Sequence, residues 1–172
     1  GQARADETGQ QHTASAVALL QTLLEDYRSH AGSMSVEQAG QLIAVLQSPT
    51  SRDQLLMRFC RTGLPAEARA AADLPPEPDG DDALDLAGED AVERLLVDLC
   101  AQVEGPLACA PLALLGWHSW ARGEGALARI AVDRALAEDP TYRLAVLLST
   151  LLDHAVAPDW VGAMRQEDER AS

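Results

Sequence analysis

The sequence predicts an all-α fold, a helical bundle of about seven helices that closes in an antiparallel helix pair with a third helix packed beside it. Three observations carry that expectation. Apolar residues make up 47% of the 172-residue chain and aromatics 3%, so the core is drawn from Leu, Ala and Val, a composition suited to helix packing rather than sheet. Apolar positions recur at three- and four-residue spacing through most of the chain. Glycine and proline fall mostly between these stretches, and the short connections they make imply antiparallel neighbours.

From Thr13 to about His30, Val17, Leu20, Leu23, Leu24 and Tyr27 mark one face of a first helix, with Thr13 or Ser15 suited to cap its start. Residues 1–12 carry no apolar periodicity and read as an arm. After the Ala31-Gly32 break, Ser35 and Gln38 have the spacing of a capping box, and Val36, Ala39, Leu42, Ile43 and Leu46 continue a stripe to about Gln47. Ser48-Pro49 ends that helix, because proline disfavours helical geometry in the residue before it. A third helix starts at Thr50 or Ser51, with Leu55, Leu56, Phe59 and Cys60 on one face and Gly63 as its stop. Residues 13–63 therefore read as a three-helix block.

Residues 64–90 change character. They carry Pro65, Pro75, Pro76, Pro78 and the run Asp79-Gly80-Asp81-Asp82, the composition of a linker or long loop. A fourth helix follows from about Asp90, with Val92, Leu95, Leu96, Leu99 and Val103 buried, and Gly105-Pro106 closes it. Three helices are then expected over Pro111–Arg122, Gly125–Glu138 and about Tyr142–Ala155, separated by the Gly123-containing turn and by Asp139-Pro140. Residues 91–160 make a C-terminal helical block, Asp159-Trp160 a final turn, and residues 161–172 a charged tail. The blocks are expected to share one domain.

Setting Pro140 as a closing proline places Ala135, Val132, Ala128, Gly116 and Leu115 at fixed offsets through about 34 residues, a spacing that resembles a tetratricopeptide repeat over residues 109–142. Gly116 would let the second helix approach, Ala128 and Ala135 would sit at the crossing, and Leu115 would fill between them. Ser119 stands where the repeat carries a large aromatic residue, with Trp120 one step later. A solitary repeat cannot bury its faces alone, so its cover must come from the third helix and the preceding block.

The stretch from Leu112 to Trp160, with Gly116-Trp117, the Arg122-to-Arg129 turn, the Asp133-to-Pro140 run and Pro158-Asp159-Trp160, resembles the carboxy-terminal part of the actinobacterial domain of unknown function 4192. Residues 35–62 resemble it more loosely. The resemblance implies a bacterial, cytoplasmic protein and supplies no activity. The chain opens on Gly1 without an initiator Met or a signal-like stretch, so it is expected to be a piece of a longer protein.

The formal net charge is −14, with Arg supplying all 13 basic residues and Lys none. Eleven acidic side chains against two arginines lie between Gly63 and Asp98. A surface of that sign repels phosphate backbones and anionic lipids, so neither a nucleic-acid nor a membrane partner is expected. Arg, Glu, Asp or Gln interrupts every Leu-rich stretch before it reaches membrane-spanning length.

Asp79, Asp81, Asp82 and Asp85 fail the calcium-loop test, because Ala83 and Leu84 stand where a ligand and a glycine are needed. Cys60, Cys100 and Cys109, and His12, His30, His118 and His154, lack zinc spacing. No metal or cofactor is expected, nor a catalytic site within this stretch. The candidate partner-binding residues are Ala113, Trp117, Trp120 and Ala121, which match positions on the ligand-reading side of such repeats; the competing reading packs the two tryptophans under neighbouring helices. The expected role is a non-catalytic helical interaction module that docks a protein or another domain of its own chain. The alternative is an auxiliary helical domain of an enzyme whose catalytic part lies in a missing N-terminal region.

Overall fold

The structure is a computed structural model, and it describes residues 2–29, 32–59 and 90–156. Within them lie seven α-helices and a 3₁₀ turn, with no strand. They are α1 Gln2–Arg28, α2 Val36–Leu46, α3 Pro49–Phe59, α4 Asp90–Ala101, the 3₁₀ turn Gly105–Ala108, α5 Cys109–Ala121, α6 Gly125–Glu138 and α7 Arg143–Asp153. The expectations for Leu56, Phe59, Cys60, Gly63, the 64–89 linker, the Asp159-Trp160 turn and the charged tail fall on residues or side chains outside those described.

The first helix begins at Gln2 rather than Thr13. Gln, Ala, Arg and Glu propagate a helix on backbone propensity where no apolar stripe marks it, so a search for periodicity stops a few turns short. From Ala16 onward, Leu20, Leu23, Leu24 and Tyr27 are buried, the face that the spacing marks.

The start of α2 is built as its sequence implies. The Ser35 hydroxyl accepts from the Gln38 amide at 3.2 Å, and the Ser35 amide donates to the Gln38 side-chain oxygen at 2.9 Å. This reciprocal pair satisfies two of the donors that a helix N-terminus leaves open. Ser35→Ala should cost about 1 kcal/mol, read as a shift in the denaturant midpoint at constant slope; an unchanged midpoint would mean that the box contributes nothing. Val36 is 81% exposed, contrary to its place in the expected stripe. Two successive three-residue steps leave it about 120° round the helix from Leu42. Pro49 opens α3, where its missing N–H costs nothing.

The blocks on either side of residues 60–89 share one apolar core, in which Leu42, Leu46 and Leu55 meet Leu95, Leu96, Leu99 and Leu114. At its centre is α5, all thirteen residues of which are buried. It touches α2, α3, α4, α6, α7 and the 3₁₀ turn, and its apolar character all round is that of a helix with no solvent face. Polar ties fix the outer helices. The Tyr27 hydroxyl donates to Asp98 at 2.6 Å and Arg94 donates to the Tyr27 carbonyl at 2.6 Å, joining α1 to α4. Arg129 donates to Ser149 and to Asp153, joining α6 to α7.

Candidate functional site

Gly116 governs how α5 meets α6. A methyl group placed on it would stand 2.9 Å from Val132 Cγ2 and 3.5 Å from the Ala128 carbonyl oxygen. Ala128, Val132 and Ala135 are fully enclosed and Leu115 is buried, so the small residues that the sequence sets at fixed offsets do line this crossing.

The same close packing decides the fate of the four candidate partner residues. Ala113, Trp117, Trp120 and Ala121 are 0%, 2%, 3% and 4% exposed, so they are core and not a presented surface. α5 is covered on every side, and the face that an open repeat would leave for a ligand is occupied by the chain's own helices. The two indoles lie 5.5 Å apart with a 56° tilt, the offset geometry that aromatic pairs prefer. Trp120 Nε1 donates to the Val156 carbonyl at 2.9 Å and anchors the exit from α7. Trp117 Nε1 is buried and meets no acceptor.

The thiols are equally enclosed. Burial pushes Cys100 up to about 12 and raises Cys109, which donates to the Ala135 carbonyl at 3.5 Å. Both are therefore held as poor nucleophiles. Among the described residues no group of three or more His, Cys, Asp or Glu side chains is placed to hold a metal ion. Nor is any described helix long and apolar enough to cross a membrane. Asp79, Asp81, Asp82, Asp85, Cys60 and His30 lie outside the described residues.

Two other arrangements stand out at the surface. One is a trough of about 590 Å³ between α1 and α2, reaching the start of α3. Leu19 and Val45, both half-buried, line it with Ala16 and the exposed Ala44, while Ser15 and Gln41 stand at its rim. None of the described lining residues is charged. The sequence held a signal for it: α2 carries Leu42, Ile43, Ala44, Val45 and Leu46 in succession, more apolar surface than one core-facing stripe requires. Leu19 likewise falls off the Leu20–Leu23–Leu24 face.

The other arrangement is a charged junction at the start of α4. Arg122, at the end of α5, reaches Asp90 at 2.8 Å and Glu124 at 3.0 Å. The hydrogen bond and charge of Arg122 hold the Asp90 carboxyl below its usual range. Glu93, one turn after Asp90, is raised instead, first by desolvation and then by its contact with Glu124.

The family model described as Domain of unknown function (DUF4192) matches residues 1–159. No curated protein and no solved structure matches the chain.

Proposed function

The chain belongs to the DUF4192 family, and on that premise we propose that it is a non-catalytic helical interaction module whose docking surface is the α1–α2 trough. The observation that carries this reading is the trough itself. Two neighbouring helices joined by a short connection present half-buried Leu19 and Val45 on either side of small residues, the shape into which the side-chain ridge of a third helix packs. Because the described lining side chains are uncharged, a charge on the facing stripe would lose its hydration without a partner among them. The occupant is thus an amphipathic helix of a partner protein that turns an apolar, uncharged seam inward.

Ala44 is exposed, so a photoreactive benzoylphenylalanine can replace it without disturbing the core, and Ala137, exposed on α6, serves as the control. In the full-length protein within its source cell, irradiation should give one discrete adduct from position 44 and none from position 137. No adduct at 44, or equal adducts at both, overturns the proposal. An adduct that leaves the chain's mass unchanged would mean that the occupant is another part of the same chain.

A further inference from the structure

The trough lies at the open end of the α1–α2 pair, where Ser15, Ala16 and Leu19 meet Gln41, Ala44, Val45 and Ser48. The connection between the two helices lies at the other end, after Arg28. There a row of polar side chains from α4 takes hold of the pair. Arg94 donates to the Tyr27 carbonyl at 2.6 Å, and Asp98 accepts from the Tyr27 hydroxyl at 2.6 Å. Gln102, just past the end of α4, donates to the Met34 carbonyl at 3.2 Å. The three are spaced four apart and fall along one side of the helix. Gly32 presses on the same tyrosine: a methyl group on it would stand 2.5 Å from Tyr27 Cα, so Gly32 moves with the end of α1. Beside these bonds a cleft of about 280 Å³ opens, bordered by Tyr27, Gly32, Arg94, Val97 and Asp98.

Resting on the reading of the trough as a docking surface, we propose that Arg94, Asp98 and Gln102 are positioning residues for it. They hold the closed end of the α1–α2 pair on α4 and so set the angle between the two helices where the partner enters. None of the three is among the lining residues, so they act on docking through α1 and the connection. The apolar contacts of Leu20, Leu23 and Leu24 keep α1 in the core, but apolar attraction is non-directional. Hydrogen bonds fix an angle as well as a distance. Leu19 lies two turns before Tyr27 and Ser15 three, about 12 and 18 Å along the helix axis. A tilt of α1 by about 10° at Tyr27 therefore carries Leu19 by about 2 Å and Ser15 by about 3 Å. Leu19 and Val45 then lose the separation that the side-chain ridge of a docked helix fills.

Spin labels carried on p-acetylphenylalanine at Ala18 and Gln47, both exposed and outside the trough lining, read the opening without using the native thiols. With Arg94→Met and Asp98→Ala combined, the distance between the labels should shift, or its spread widen, by about 2 Å. The photo-adduct from position 44 should fall by about threefold or more, because the surface is no longer preorganised. Arg94→Lys still brings a donor to the Tyr27 carbonyl and should keep most of both readings. Arg129→Gln, which cuts the tie between α6 and α7, is the control for lost stability alone and should change neither. If the double variant does not fold, Tyr27→Phe and Gln102→Ala each remove one bond and should move both readings in the same direction by less. Label distances and adducts that stay native in these variants, or that change as much in Arg129→Gln, overturn the proposal. A native chain that gives no adduct at position 44 defeats the docking reading instead, and the label distances then decide alone whether α4 sets the α1–α2 angle.

Discussion

Trp117→Ala is expected to cost about 3–5 kcal/mol, a large part of the roughly 5–15 kcal/mol that holds a domain of this kind together. Trp117 sits in the middle of α5, 2% exposed, and the fixed helices around it leave little room for collapse into the space that an indole vacates. Far-UV circular dichroism against denaturant measures the change without relying on the fluorescence that the substitution removes. A loss under about 1 kcal/mol would show that the site collapses freely and that the packing around α5 is loose. Phenylalanine in the same two positions separates volume from hydrogen bonding. Trp120→Phe orphans the Val156 carbonyl, whereas Trp117→Phe deletes an N–H that had no acceptor. The Trp120 change should therefore be the costlier by about 1 kcal/mol.

Gly116→Val should rank next, at about 3 kcal/mol. Elsewhere in a helix, replacing glycine gains stability, because glycine has the most backbone freedom to lose. Here the first added carbon already lies 2.9 Å from Val132 Cγ2, and two further methyl groups have the Ala128 carbonyl and Ala131 as neighbours. α6 must then move away from α5, which exposes part of the seam formed by Ala128, Val132 and Ala135. Gly40, whose added methyl group would meet nothing within 4 Å, is the internal control. Gly40→Ala should stabilise by up to about 1 kcal/mol, and a Gly116→Val midpoint equal to it would remove the close-approach argument.

Much of this architecture is written in local pattern. The capping box at Ser35, the bounds of α6 and the face of α4 formed by Val92, Leu95, Leu96 and Leu99 follow from near neighbours and are found in place, whereas Val103, expected on that face, lies beyond the end of α4 at Ala101 and is only partly buried. The small residues opposite Gly116 follow from the longer offsets between α5 and α6. The exposure of α5 depends on something else. Spacing assigns Ala113, Trp117, Trp120 and Ala121 to one face of a helix, but whether that face meets solvent is decided by the elements that pack on α5, which include α2 and α3 from far back in the sequence and Val156 beyond α7. The composition of Cys109–Ala121 held the missing clue, since a helix with almost no polar residue has no side suited to water. The trough between α1 and α2 was hidden for the converse reason: an open surface is a place where packing stops, and periodicity marks only where packing occurs.

The burial of α5 on all sides also sets an order of events during synthesis. Its outer cover, α6 and α7, ends some thirty residues beyond Ala121, and at translation rates of about 5–20 residues per second those residues take roughly two to six seconds to appear. Throughout that interval the nascent chain carries two tryptophans and a run of leucines that have no water-facing alternative. The stability of the finished fold gives no protection during that interval.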